Sequence, residues 1–262
     1  MTSTVVIITP FKLLLALIFI FMAQGVSLFY KLGLFKDIMV GTIRTFGQLF
    51  LMGYALTVVF KLNIVYVSIG IFFLMISTAV QTIRGRVKER SVAFVIPTFI
   101  SMLLSYFVVS VLVTGVIVGV DPWWKPQYFI PLSGMIVGNS MTAISISLDR
   151  LFSELKTRRR EVEMKLSLGA DFKEASQEIL QNAIRSGMMP TINSMMGVGL
   201  VFIPGMMTGQ ILSGTDPLIA IRYQILVMLM LTAATALGAM LVLTIIRGRC
   251  FGKNHSLVLP PS

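Results

Sequence analysis

Within the long apolar runs of this chain, the side chains able to do chemistry are few and fall into two kinds. Methionine pairs recur at 188/189, 195/196 and 206/207. Steps of seven and eleven residues return to one helical face, so the pairs form a stripe if the helix runs regularly through Pro190 and Pro204. Met135 and Met141 add thioethers on the preceding run. Thioether sulfur is a soft ligand for a metal in transit, and it is also adaptable packing material where surfaces repack. The second kind is uncharged and polar: Asn139, Ser140, Asn193 and Gln210. Facing lipid would cost these groups hydrogen bonds, which directs them toward a pathway. Met141, Met195, Met206 and Met207 complete that candidate pathway.

What is missing narrows the chemistry further. The chain has one Cys (Cys250), one His (His255) and no carboxylate inside an apolar run. No nucleophile–base pair points to catalysis, and no bound cofactor or confident metal site is expected of this chain. No Gly-x-x-x-x-Gly-Lys-Ser/Thr occurs, so it hydrolyses no nucleotide by a P-loop and needs a partner for power. A proton-coupled carrier generally needs an ionisable relay in the membrane. That argues against one, and leaves a sodium-coupled carrier using carbonyls as an alternative.

The elements that position these residues are membrane helices. Runs 62–83, 91–120, 126–148, 186–215 and 223–246 carry no charge, and about twenty apolar residues cross the hydrocarbon core. Runs 13–30 and 45–60 become long enough once Lys12 and Arg44 snorkel outward. The expectation is an all-α polytopic membrane protein of about seven helices, near 8–29, 42–60, 63–82, 92–119, 129 onward, 188–213 and 217–246. No Pro or Gly interrupts 139–168, so the fifth helix is expected to continue beyond the membrane. Lys61-Leu62-Asn63 marks a tight turn, and Trp123 and Trp124 suit an interface.

Orientation follows from Lys and Arg, which accumulate on the cytoplasmic side. An outside amino terminus and a cytoplasmic carboxyl terminus place eighteen basic residues inside. Only Lys12, Lys61, Lys125 and Arg222 then lie outside. The same bias explains the net charge of +11, so the expected partner is the bilayer and not nucleic acid. Ala23-Gln24-Gly25 faintly resembles a signal cleavage site, but the basic n-region is missing and an uncleaved first helix is expected. Cys250 stands alone, so no intrachain disulfide is possible.

Within the apolar runs three Gly-x-x-x-Gly spacings occur, at 115/119, 134/138 and 205/209. Small residues four apart let helices approach closely; the pairs Gly134–Gly138 and Gly205–Gly209 are the favoured contacts. Pro190 and Pro204 join them as hinge positions. Gly197, Gly199, Pro204, Gly205 and Gly209 soften the sixth helix, and Pro204 is expected to kink it, either as a static feature or along a transport path.

The remaining chemistry lies in one polar loop, 149–187, within a single domain spanning 1–262. Fifteen of the thirty-three charged residues sit between Asp149 and Arg185, eight basic and seven acidic. Phe172, Ala175, Ser176, Ile179, Leu180, Ala183 and Ile184 recur at helical spacing opposite Lys173, Glu174 and Glu178. Asp171 with Glu174 forms an approximate capping box, after a break at Gly169-Ala170. Such a helix lies on lipid, packs on its own bundle, or is gripped by a soluble partner.

The run Glu163-Met-Lys-Leu-Ser-Leu-Gly169, with Ile179 ten residues on, resembles the coupling loop of ABC-transporter permeases, although Met164 and Lys165 stand where that loop has alanines. There the loop seats in a groove of the ATPase. The resemblance implies that Glu163, Gly169, Ala170, Asp171, Phe172, Glu174, Ala175 and Ile179 form an ATPase-coupling element. Four segments resemble the FetB family of bacterial iron-export ABC permeases and related plant aluminium-tolerance subunits: Ile130–Asn139, Lys165–Ala170, Ile203–Gly209, and Gly214–Pro217 with Tyr223-Gln224. The resemblance implies the membrane subunit of an exporter in the bacterial cytoplasmic membrane. It would act as a homodimer with two copies of a separate ATPase that supplies the ATP chemistry, with iron or another metal as cargo. With so few metal ligands, iron would pass through weak oxygen and thioether contacts or as a complex. A nucleotide-sugar ABC permease, a stand-alone carrier or channel, and a non-transporting scaffold are the alternatives.

Overall fold

The computed structural model describes residues 8–252 and 256–259. These residues contain no β-strand and form α1 (Pro10–Leu15), α2 (Leu17–Phe29), α3 (Phe35–Leu62), α4 (Val65–Arg86), α5 (Val95–Val111), α6 (Pro126–Thr157), α7 (Arg159–Ser167), α8 (Phe172–Ala175), α9 (Gln177–Gly197), α10 (Gly205–Leu212) and α11 (Pro217–Arg249). Lys253 and His255 lie outside the described residues. The chain divides into two compact units. One comprises residues up to 63 with 212–215, the other 64–211 with the rest of the chain.

Among the described residues, six helical stretches are long and apolar enough to cross a bilayer: Pro10–Phe29, Phe35–Leu62, Val65–Arg86, Val95–Ile117, Pro126–Thr157 and Pro217–Arg249. The expected continuous helix over 188–213 departs from this pattern. Its first part belongs to α9, which starts at Gln177 and passes through Pro190. The helix then stops at Gly197, where Val198 turns extended and Gly199 takes φ +87°. Gly199 N–H donates to the Phe202 carbonyl at 2.9 Å and Val201 N–H to the Gly197 carbonyl at 2.8 Å. Only glycine enters that left-handed region without cost, and Pro204 withholds the donor that would continue the ladder. The helix is therefore cut in two rather than kinked. The expected methionine stripe is cut with it, since Met206 and Met207 lie on α10.

In the first unit, α2 and α3 are joined by a short turn in which the Gln24 amide donates to the Phe35 carbonyl at 3.1 Å. The first helix is interrupted at Ala16. Helix α3 begins at Phe35, seven residues before the expected start, and ends at Asn63 in the left-handed conformation.

The second unit is built around α6, which packs against α4, α5, α9 and α11. Its Ile144, Leu148, Leu151 and Leu155 are fully buried, and their four–three–four spacing repeats in Phe72, Ile76, Ala79 and Ile83 of α4. Ridges of that period interlock with one another. Lipid tails are as apolar as these side chains, so close packing and small residues decide the association. The tightest approaches lie at Gly187 and Gly238. A Cβ at Gly187 would lie 1.9 Å from Ser147 Oγ and 2.6 Å from the Ala143 carbonyl oxygen; one at Gly238 would lie 2.0 Å from the Tyr106 hydroxyl. The favoured spacings are looser. Gly134 faces Met75 at 3.6 Å, and Cβ atoms at Gly138, Gly205 and Gly209 would meet nothing within 4 Å.

Helix α5 widens into a π-helical turn over Leu112–Ile117. There Gly115 leaves room for Trp123, which packs edge-on against Phe107 and Phe129.

Candidate functional site

The polar loop folds as a wired elbow. Helix α6 ends at Thr157, and α7 restarts after Arg158 instead of the helix running on through 168. At Gly169, with φ +96°, the chain reverses. Asp171 then caps α8: Glu174 N–H donates to Asp171 Oδ1 at 2.7 Å, and Asp171 N–H donates to Glu174 Oε2 at 3.1 Å. This is the capping box expected from the sequence. Ala175, Ser176, Ile179, Leu180 and Ala183 are buried, while Lys173, Glu174 and Glu178 face outward. Glu163, Gly169 and Asp171 are exposed; Ala170 and Phe172 are half-buried. Glu163, Leu166, Gly169, Ala170 and Asp171 line an open recess of about 590 Å³.

Arg158 is the hub behind this surface. Its Nε donates to Glu161 Oε2 and its Nη2 to Glu178 Oε2, each at 2.8 Å. Glu154 lies 3.9 Å away. One guanidinium thereby ties α6, α7 and α9 with the fork geometry that suits paired carboxylates. Arg158, helped by Lys165, holds the Glu161 carboxyl down at about 2. The same guanidinium lowers the Glu178 carboxyl, and both acids raise that of Arg158 itself.

Two further tethers reach the elbow from distant sequence, and a third ties the end of α11 to the neighbouring 87–94 loop. Arg247 at the end of α11 donates to Gln177 Oε1 at 3.0 Å. Arg249 donates to the Ala93 carbonyl at 3.0 Å. Arg159 pairs with Glu163 at 2.7 Å and also donates to the Leu259 carbonyl at 2.7 Å. The tail thus returns to α7, with Leu257 and Leu259 buried and Phe251 against the Phe172 ring, centroids 5.6 Å apart. On the neighbouring loop Glu89 pairs with Lys156 at 2.6 Å. Burial alone would raise the Glu89 carboxyl, but Lys156, Ser91 and two backbone donors bring it down to about 2. None of these tethers is expected from the sequence.

Within the apolar segments the expected pathway residues do not gather in one place. Asn139 lines a polar groove of about 210 Å³ with Thr142, Thr191 and Ser194, and Gly138 and Pro190 lie in the same wall. Its amide donates to the Met135 carbonyl at 3.0 Å. Ser140 is fully buried instead, seven residues from Ser133 and Ser147; its hydroxyl lies beside that of Tyr106, while those of Ser133 and Ser147 have no hydrogen-bond partner among the described residues. Met141 and Met206 pack against the core, Asn193 is exposed and Gln210 is half-buried. Met195 and Met207 line a cavity of about 390 Å³ at the break between α9 and α10, together with Gln224 and Met228 of α11. The described residues contain no cluster of three or more His, Cys, Asp or Glu able to hold a metal.

A family model covering residues 10–251 matches the chain; its description is "Uncharacterised protein family (UPF0014)". The chain is 36% identical over 233 residues to UPF0014 membrane protein YjkA of Bacillus subtilis, covering 88% of this chain and 91% of YjkA. It is 32% identical over 252 residues to the Probable iron export permease protein FetB of Escherichia coli, covering 96% of each. It is 30% identical over 231 residues to Protein ALUMINUM SENSITIVE 3 of Arabidopsis thaliana, covering 86% of this chain and 81% of that protein. No solved structure matches the chain. Six apolar helices and relatives matched over most of their length make this an integral membrane protein that belongs to the UPF0014 family.

Proposed function

We propose that the chain is the membrane permease subunit of an ABC exporter in a bacterial cytoplasmic membrane, with a metal, iron first, as cargo. The observation that carries this reading is the elbow from Arg159 to Glu174. One of its sides is an exposed recess bounded by Glu163, Gly169 and Asp171. The other is tied to α6, α9 and α11 through Arg158 and Arg247. A solvated loop needs neither a fixed surface nor such tethers, whereas a part that receives a push needs both.

The cytoplasmic side carries the elbow, and the partner is a separate ATPase that binds the ATP. Two copies of this chain work as a homodimer. When two ATPases close, the paired elbows approach and the displacement passes into α6 and α9, which meet at Gly187. Packed helices switch between discrete arrangements, and the groove holding Asn139, Thr142, Thr191 and Ser194 opens alternately to either side. Its oxygen groups are uncharged, which suits weak, reversible contacts with a passing cation or complex.

The test is ATP-dependent movement of iron into inverted membrane vesicles carrying the chain and its candidate ATPase. Uptake that requires both subunits supports the reading. Uptake with the membrane chain alone would replace it with a stand-alone carrier, and stimulation by a nucleotide sugar instead of metal would change the cargo.

A further inference from the structure

We propose that the cavity at the α9–α10 break is a binding site for a soft monovalent cation of the Cu(I) or Ag(I) type. Three thioethers from three helices line this cavity: Met195 of α9, Met207 of α10 and Met228 of α11. Gln224 and Met228 are four residues apart, on one face of α11, and Thr232 continues the row. The Thr232 hydroxyl lies 2.7 Å from Met195 Sδ and 2.9 Å from the Met228 carbonyl oxygen, sharing its one proton between them and placing the Met195 thioether against α11.

Two further observations point to a ligand. Gln224 lines the cavity, is 4% exposed, and its Oε1 has no hydrogen-bond partner among the described residues. An unpaired buried carbonyl dipole is costly, and a turn of this amide toward the cavity would set its negative end beside a cation and relieve that cost. Val198 and Gly199 of the same wall belong to the non-helical turn. Irregular backbone inside a membrane protein is tolerated where it lines a cavity, and freed carbonyls there serve as ion contacts in broken-helix transporters.

The class of ion follows from the donors. No His, Cys, Asp or Glu lines the cavity, so nothing there neutralises a divalent charge, and among the lining side chains three methionines outnumber the single amide oxygen of Gln224. Neutral thioethers select Cu(I), and Ag(I), of the same charge and softness, follows. The cavity is roomier than one ion needs, and unbranched methionine side chains have the torsional freedom to close on it.

The site belongs to the chain alone, so its test needs no ATPase and its failure leaves the transport reading standing. Purified full-length chain is titrated anaerobically with Cu(I) against a chromogenic chelator. One equivalent per chain is expected, displaced by Ag(I) and not by Fe(II). Met195→Leu, Met207→Leu and Met228→Leu, which conserve volume, each weaken binding at least about tenfold. This is about 1.4 kcal/mol per decade. Met196→Leu, at an exposed position, and Cys250→Ser leave it unchanged. X-ray absorption of the Cu(I)-loaded wild type needs no variant and is expected to show a sulfur-dominated shell. Absence of chelator-competitive binding, a nitrogen or oxygen shell, or binding that survives the triple leucine variant would overturn the proposal.

Discussion

Alanine at Gly187 will loosen α6 from α9. The new Cβ would sit 1.9 Å from Ser147 Oγ and 2.6 Å from the Ala143 carbonyl oxygen. Turning the Ser147 hydroxyl relieves the first contact. The second is backbone and does not turn. Restoring a carbon–oxygen separation of about 3.3 Å requires the helices to part by roughly 0.7 Å, and gaps of that size forfeit a quarter to a half of each dispersion contact. Overpacking of this kind costs about 1–3 kcal/mol. For a chain of this size each kcal/mol moves a melting midpoint by about 2–4 °C, so Gly187→Ala is expected to lower it by roughly 3–10 °C. The assay is thermal denaturation in detergent followed by size-exclusion or tryptophan fluorescence. Gly209→Ala is the control, because its Cβ meets nothing within 4 Å; its midpoint stays within a degree or two of wild type, since alanine also improves helix propensity. Adding Ser147→Ala to Gly187→Ala should restore part of the loss, because neighbouring sites couple. An unchanged midpoint in Gly187→Ala, or an equal fall in Gly209→Ala, would refute the assignment of this helix contact.

The ion pairs make the elbow acid-sensitive. Glu161 and Glu89 are both held at about 2, against an ordinary value of 4.5. A depressed carboxyl stabilises the fold above its ordinary range and loses that contribution as pH falls toward the folded value. Amide protection of α7 and the 87–94 loop, taken relative to the intrinsic exchange rate at each pH, is therefore expected to fall between about pH 4.5 and 2, and unchanged protection across that window would contradict the pairing. Arg247→Met removes a buried charged donor to Gln177, at a cost of about 1.5–3 kcal/mol, and is expected to uncouple ATP hydrolysis from transport while the protein remains folded. Deleting residues 257–262 frees Arg159 from the Leu259 carbonyl and removes the Leu257 backbone that pairs with Phe251; faster proteolysis at 159–172, with an intact membrane core, is the expected result.

Local chemistry in the sequence is readable where one element settles it. The Asp171–Glu174 cap and the buried face from Ala175 to Ala183 depend on spacing and capping alone, and they stand as expected. The softness of 197–209 is also visible, but a full break needs the closure between Gly199 and Phe202, which no period encodes. Within one chain the tightest helix approaches lie away from the favoured glycine spacings, because Gly-x-x-x-Gly does not say which face meets which helix. The signal there is a run of small residues one helix turn apart: Ala183, Gly187 and Thr191 are all buried, and so are Ala234 and Gly238. Arg158, Arg247 and the returning tail act across long sequence separations, and their partners follow only from the fold.

The most direct measurement is ATP hydrolysis by the candidate ATPase reconstituted with this chain, comparing wild type with Gly169→Pro. Gly169 sits at φ +96°, and proline is confined near −65°, so the variant misdirects the elbow without touching the membrane segments. Hydrolysis is expected to depend on the membrane chain and to collapse in the variant while the ATPase stays bound. Hydrolysis indifferent to the chain, or equal in wild type and Gly169→Pro, would contradict the coupling role of the elbow.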